Sequence, residues 1–489
     1  MLRKIRVSLA VIFYTLITLL FLDFTGTIHV YFGWMAKMQF LPALLAVNVA
    51  VVVGLLALTF IFGRVYCSII CPLGVMQDII AFFGKKQKKN RYSYSEARKW
   101  LRVGVLAVFL ITILAPGVSV IAHLVAPYSA YGRIANNILL PIYQLGNNAL
   151  AAIAEHFDSY AFYSVEIWVK SIVTLLVSVI TFIIIAVLSW RNGRSWCNTI
   201  CPVGTILGFF SKYSIFKLTI DTEKCNSCGL CSRNCKAACI NSKQHQIDYS
   251  RCVACFDCID KCNKGAISYK LRQTVETTAV DESKRKFLAV SALFVAGATV
   301  KAQEKKVDGG LASIQDKKVP ERKTDIKPAG AESLKNFANH CTACQLCVTA
   351  CPNQVLRPSV SLENLMQPEM SFEKGYCRPE CVKCAEVCPA GAIKPIDTAI
   401  KSSISIGYAV WVKENCVVNT DDVNCGHCAD VCPVGAIKMV ANDSSDPKSR
   451  LIPTVITERC IGCGACENLC PARPFSAIYV EGREVHINR

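Results

Sequence analysis

The chain is poor in the side chains that most catalytic and nucleic-acid-binding proteins rely on. Of its 489 residues only 7 are histidine and 36 are acidic, and charged residues make up 18%. No hydrolytic or nucleotide-binding motif stands in it. Helix-turn-helix and RNA-binding signatures are also missing, so the net charge of +18 is not read as a nucleic-acid footprint. Much of the positive charge sits beside apolar segments instead, as in Lys85-Lys86-Gln87-Lys88-Lys89, where cytoplasmic juxtamembrane loops carry it. With hydrophobic residues at 52% and a mean hydropathy of +0.35, the chain is too apolar to be wholly soluble. Cysteine is the abundant reactive residue, with 29 copies.

Twenty-four cysteines form six tracts of three close cysteines and a fourth three residues later. The first two tracts are Cys225, Cys228, Cys231, Cys235 and Cys252, Cys255, Cys258, Cys262. The next two are Cys341, Cys344, Cys347, Cys351 and Cys377, Cys381, Cys384, Cys388. The last two are Cys416, Cys425, Cys428, Cys432 and Cys460, Cys463, Cys466, Cys470. C-x2-C-x2-C-x3-C is the signature of [4Fe–4S] ligation, and in two-cluster ferredoxins the fourth cysteine ligates the other cluster. Disulfide frameworks lack this repeated spacing and the proline that follows Cys351, Cys388, Cys432 and Cys470. Six clusters are therefore expected. Cys225, Cys228, Cys231 and Cys262 would hold one, and Cys252, Cys255, Cys258 and Cys235 another. Among the last four tracts exchange is either between neighbours or nested, first with fourth and second with third. Nesting is favoured because the two tracts with extra residues, Cys377-x3-Cys381 and Cys416-x8-Cys425, sit together in the middle. Cys239 is left over and reads as a small buried residue.

Four apolar runs approach the roughly 20 residues that span a bilayer: 7–24, 40–62, 101–125 and 167–188. Residues 134–154, with Asn136, Asn137, Asn147 and Asn148, read as an interfacial or re-entrant segment. Lys and Arg crowd the loops before the first run, between the second and third, and after the fourth. The positive-inside rule then places both ends of a four-span bundle in the cytoplasm. The fold class expected is an α-helical four-span membrane bundle with α+β ferredoxin-like [4Fe–4S] modules. Residues 1–220 form the bundle and 221–270 a cytoplasmic two-cluster module. Residues 283–302, with Ser283-Lys284-Arg285-Lys286-Phe287-Leu288 before a short apolar stretch, read as a twin-arginine-like signal or anchor helix. A charged linker covers 303–336, and 337–489 form a periplasmic four-cluster module. Its clusters would act as the core that so small a fold lacks.

The bundle contains a repeat. GRVYCSIICPLG (63–74) and GRSWCNTICPVG (193–204) share Gly-Arg, two cysteines, proline and a final glycine. The repeat suggests pseudo-symmetric halves that bring Cys67, Cys71, Cys197 and Cys201 together to hold a soft metal or an iron–sulfur cluster. Tyr66 and Trp196 beside them read as interface anchors. His29, His123, His156 and Asp23 map to the outer side and are candidates for a quinol site.

Residues 1–270, by the paired C-x3-C-P motifs and the two-cluster module, resemble NapH. Residues 283–489 resemble NapG, its exported partner in periplasmic nitrate reductase systems. The chain thus resembles a NapH–NapG fusion. The resemblance implies a quinol dehydrogenase of the bacterial inner membrane. Electrons would pass from the menaquinol or ubiquinol pool to a periplasmic reductase or c-type cytochrome.

Overall fold

A computed structural model describes residues 1–23, 26–87, 92–114, 119–159, 161–271, 316–443 and 449–489. The signal-like segment 283–302 lies outside the described residues, as do 303–315 of the expected linker.

Among the described residues two helices are long and apolar enough to cross a membrane, Leu2–Leu22 and Ile172–Asn192. One other expected span is interrupted. Run 40–62 divides into Phe40–Leu45 and Val49–Phe62. Val47 at φ 54° breaks the first piece, and the Asn48 side chain caps the second through the Val51 N–H. Run 101–125 is carried by Lys99–Leu114 and Ser119–Val125. The asparagine-bearing segment is helical throughout. Pro127–Ile134, the π-helical turn Ala135–Leu139 and Leu140–His156 follow one another without a gap. Its four asparagines have partners that explain them. Asn147 and Asn148 bond the backbone of Tyr163 and Val165 at 2.8 Å, and Asn136 and Asn137 reach Gln345.

Each cluster tract folds as a short loop ending in a helix of four or five residues, and antiparallel strand pairs tie the tracts together. In the 221–270 module Phe216–Ile220 pairs with Ile267–Leu271. Beyond residue 316 the module has two halves. The first, with the Leu356–Pro358 and Pro368–Met370 pair, shares one hydrophobic core with the helices: Ile17, Phe21, Tyr131, Cys344 and Phe372 belong to it together. The second half has its own core around Cys416, Cys460, Cys466 and Ile478. It is closed by Ile404–Trp411 against Ile478–Asn488 and by Ile437–Ala441 against Leu451–Val455.

Residues 316–336 are not a free linker. Lys317 Nζ donates to the carbonyls of Glu467, Asn468 and Cys470, and Arg322 pairs with Glu467. Ile326 and Ala331 are buried. Charge made this stretch look solvated, yet its cations serve as caps for carbonyls of the last tract.

Candidate metal centres

Standard tracts repeat one backbone device. In the x2 spacers, the residue before the second cysteine and the one after it are left-handed. The pairs are Ser227 and Gly229, Ala254 and Phe256, Ala343 and Gln345, and Gly462 and Gly464, with φ between 48° and 79°. Alternating right- and left-handed residues turn successive N–H groups into one concavity, an anion nest of the kind that iron–sulfur sites use. The non-glycine residues accept backbone strain for it. Beyond the fourth cysteine a backbone N–H returns to its sulfur: Ala266 to Cys262 at 3.3 Å, Val355 to Cys351 at 3.4 Å and Ala436 to Cys432 at 3.2 Å. Both features fit a bound anionic cluster. In the second C-terminal tract the extra residue replaces the nest, and buried Lys401 fills the turn. Its Nζ lies 3.1 Å from Cys377 Sγ and donates to the Arg378 and Cys381 carbonyls.

The cysteines gather across tracts. Cys225, Cys228, Cys231 and Cys262 line one cavity of about 220 Å³. Cys258 has Cys252, Cys255 and Cys235 as electrostatic neighbours. Cys239 is fully buried against that second set, with its Sγ 3.5 Å from that of Cys235. Its thiol holds Cys235 down to about 7.

Beyond residue 336 the gathering is between neighbours, so the nested arrangement is corrected. Cys388 joins Cys341, Cys344 and Cys347, and Cys351 joins Cys377, Cys381 and Cys384. Likewise Cys470 joins Cys416, Cys425 and Cys428, and Cys432 joins Cys460 and Cys463. Short connections close at lower entropic cost than the long ones that nesting needs. The two halves touch where the Cys377 N–H donates to the Cys463 carbonyl at 2.9 Å.

The Gly-Arg…Cys-Pro repeat closes on itself. Cys67, Cys71, Cys197 and Cys201 are all buried and mutually close. Each repeat's arginine crosses to the other's cysteine. Arg64 Nη2 donates to the Cys197 carbonyl at 3.3 Å, and Arg194 Nη1 donates to that of Cys67. The final glycines make room for this. A Cβ on Gly74 would stand 2.9 Å from Arg194 Nη1, and one on Gly204 would stand 2.7 Å from Arg64 Nη2. Gly-Arg, Cys and final Gly in the motif are thus parts of one interlock. Gln77 Nε2 lies 3.2 Å from Cys197 Sγ and Arg64 Nη2 lies 3.8 Å from Cys67 Sγ, which adds donors to the sulfurs. Among the described residues no three His, Cys, Asp or Glu are gathered tightly enough for a single metal ion. A lone ion needs sulfur at about 2.3 Å, whereas a cluster spreads its thiolates around a larger body.

Tyr66 and Trp196 are not interface anchors, because both are buried in the core. Tyr66 Oη donates to Gln39 Oε1 at 3.0 Å and accepts from the Phe40 N–H at 3.1 Å. Its neighbours are Cys71, Cys67 and Cys201 on one side and Tyr128 on the other. Tyr128, whose buried Oη has no hydrogen-bond partner, lies within electrostatic reach of Cys344 and Cys388. One helical turn on, Gly132 packs so closely that a Cβ would stand 2.4 Å from the Cys344 carbonyl. At the other end Arg64 Nη1 donates to the Ser250 carbonyl at 3.1 Å, two residues before Cys252. The cysteine sets from Cys252 to Cys470 thus follow one another in a row through the described residues. The tyrosines in it carried no sequence signal beyond position.

Of the four quinol candidates, His29 and Asp23 come together. His29 Nδ1 stands 3.4 Å from Asp23 Oδ2, and the Asp23 carboxylate accepts the Gly26, Ile28 and His29 N–H groups as a helix cap. His123 is buried against the Cys341 backbone. His156 is exposed and packs on Phe157.

Comparison with known proteins agrees with this reading. A profile described as a 4Fe-4S binding domain matches residues 44–90 and again 174–220, the two halves of the Gly-Arg…Cys-Pro repeat. A 4Fe-4S dicluster domain profile matches 423–473. The ferredoxin-type protein NapG of Escherichia coli is 32% identical over 178 residues, covering 33% of this chain and 75% of NapG. The methylamine utilization ferredoxin-type protein MauM of Methylobacillus flagellatus is 31% identical over 165 residues, covering 33% of this chain and 70% of MauM. YccM of Escherichia coli, named for electron transport, is 25% identical over 229 residues and covers 45% of this chain. The chain spans only 55% of YccM, and 29% of an uncharacterized protein of Methanocaldococcus jannaschii that it also matches. No solved structure matches. Cluster-binding loops, the repeat and these relatives agree: the chain is a ferredoxin-type 4Fe–4S electron-transfer protein of the family that includes NapG and MauM.

Proposed function

We propose that the chain is a membrane-embedded quinol dehydrogenase component that carries electrons outward to a periplasmic reductase or c-type cytochrome. Residues 1–220 lie in the inner membrane, 221–270 on its cytoplasmic face and the module up to 489 on its periplasmic face, with 283–302 as signal or anchor. Six [4Fe–4S] clusters are held by the six cysteine sets described above. A seventh centre, an iron–sulfur cluster or other soft metal, sits at Cys67, Cys71, Cys197 and Cys201. Such clusters, when bound, supply one-electron transfer at potentials tuned by hydrogen bonds, charge and exposure.

The observation that carries this reading is the row of cysteine sets linked through Arg64, Tyr66 and Tyr128. A bilayer core of about 30 Å is too thick for one electron hop, so a conductor needs a station inside it. The four membrane cysteines occupy that place. Arg64 links them to the Cys252 side, and Tyr66 and Tyr128 link them to Cys344 and Cys388. From there the sets follow one another through Cys351 and Cys377 to Cys463, and on to Cys428 and Cys470. The chain's residues hold the sets at fixed spacing, exclude water and aim N–H groups at the sulfurs.

The test is anaerobic addition of menaquinol to vesicles containing the protein, following bleaching of the iron–sulfur absorbance. Bleaching of all centres in the wild type, with the 341–470 centres left oxidised in Cys67→Ser and Cys201→Ser, is the expected result. Bleaching that ignores both substitutions removes the membrane cysteines from the path.

One observation favours a second entry. Cys228 is exposed, and its set opens to solvent. A soluble cytoplasmic donor can therefore reach the first inner set directly. Midpoint potentials below those of quinones at every centre would select this reading.

A further inference from the structure

A cavity of about 500 Å³ opens between the helices Leu2–Leu22 and Pro72–Gln87, at the end of the bundle that carries residues 221–270. Its walls are apolar, with Val7, Val11, Ile79 and Phe82 among them, and these four are exposed at the mouth. Its floor is charged. Arg6, Arg194 and Lys236 all pair with Asp78, and Lys236 and Arg3 also pair with Asp257, so the cations of the floor outnumber its carboxylates. Arg6 is only 5% exposed and lines the cavity, and its Nε has no partner among protein atoms. A buried unpaired N–H costs about 1–3 kcal/mol, so it calls for an acceptor. The floor also adjoins the second inner cysteine set. Lys236 follows Cys235, Asp257 stands between Cys255 and Cys258, and both Arg6 and Lys236 act on Cys255.

An apolar mouth on the outside of the bundle admits a lipophilic molecule from the side. A floor of cations paired with the carboxylates of Asp78 and Asp257 selects a small head that both accepts and donates hydrogen bonds. We propose that this cavity is the quinol site. The Arg6 and Lys236 side chains donate to a ring oxygen, Asp78 accepts a ring hydroxyl, and the isoprenoid tail leaves past Val11 and Phe82. This deepens the quinol reading above and rests on it. It moves the site away from His29, His123, His156 and Asp23 to the opposite end of the bundle. It also sets the ring beside the cysteine set from which the row starts.

The test uses the full, cluster-loaded protein in detergent and heptyl hydroxyquinoline N-oxide, a quinol analogue whose fluorescence is quenched on burial. Saturable binding by the wild type is expected, weakened at least about tenfold by Ile79→Trp, which fills the cavity without touching the ion pairs. Arg6→Gln should weaken it similarly while leaving the apolar walls intact. Wild-type affinity in both variants, with the wild type binding, overturns the cavity but leaves the quinol reading standing. No binding to the wild type overturns both. Displacement of the analogue by equimolar phosphatidylglycerol makes the cavity a lipid-headgroup site and overturns the proposal. Thermal melting of Ile79→Trp at the wild-type temperature confirms that its loss of binding is local.

Discussion

The two cluster-bearing ends of the molecule are fastened to the helices by different chemistry. The inner module is held by charge. Arg64 and Arg102 donate to Ser250, Arg3 pairs with Asp257 at 2.8 Å, and Lys236 bridges Asp78 and Asp257 at 3.3 and 3.1 Å. The outer module is held mainly by neutral groups. Asn136 and Asn137 share Gln345 Oε1, Thr349 Oγ1 donates to Asn136, and Trp168 Nε1 donates to Gln354. Arg357 stacks 4.5 Å over the Trp168 ring. At both ends, however, the contact is made by a cysteine-bearing loop: 235–252 inside, 342–354 outside. Attachment and electron entry therefore coincide, and loosening either joint should interrupt the row at that joint.

The glycines in the two joints offer the largest expected effects. Ala at 132 would drive a Cβ to 2.4 Å from the Cys344 carbonyl, and Ala at 208 would drive one to 2.5 Å from that of Ser250. Overpacking of this kind costs about 1–3 kcal/mol. Gly132→Ala should leave the inner centres reducible by quinol and strand the outer ones, whereas Gly208→Ala should displace the inner module. Hydrogen exchange read separately over 236–252 and 342–354 distinguishes them. Equal loosening of both loops by either substitution would break the comparison.

Salt should sharpen it. The Arg3–Asp257 pair is partly exposed, so ionic strength near 1 M, where the screening length is about 3 Å, weakens it. Exchange over 236–252 should rise with salt and that over 342–354 should hardly move. The expected change is modest, since exposed pairs contribute about 0.2–1 kcal/mol each.

Sequence showed some of this and hid the rest for identifiable reasons. Tract spacing is local, so the cysteine triplets could be read directly, and their left-handed turns follow from the spacing. Partner choice between tracts is not local. Insertions at Cys377 and Cys416 say nothing about which tracts meet, and closure between neighbours decided it. The Gly-Arg and final Gly of the repeat were visible as a pattern, but their use as a crossed interlock appears only when two halves face each other. Tyr66 and Trp196 were misplaced because aromatic residues beside an apolar run look alike whether they face headgroups or a buried centre. Asn136 and Asn137 looked interfacial because their partner, Gln345, lies more than two hundred residues away.

The smallest effects concern tuning, where the two joints again offer a matched pair. Tyr128 Oη is buried without a partner near Cys344 and Cys388. Cys239 lies 3.5 Å from Cys235 and remains the protonated partner, since its thiol holds Cys235 down. A donor aimed at a ligand sulfur, or a buried O–H left free to turn toward a bound cluster, stabilises the more negative, reduced state, and hydrogen bonds are among the terms that set cluster potentials. Tyr128→Phe should lower the midpoint potential of the Cys341, Cys344, Cys347 and Cys388 centre. Cys239→Ala should lower that of the Cys252, Cys255, Cys258 and Cys235 centre by less, because S–H is the weaker donor. Redox titration followed by EPR reads both. If Cys239→Ala instead removes one cluster's signal altogether, Cys239 is a ligand and not a donor, and the inner joint is built differently from the outer.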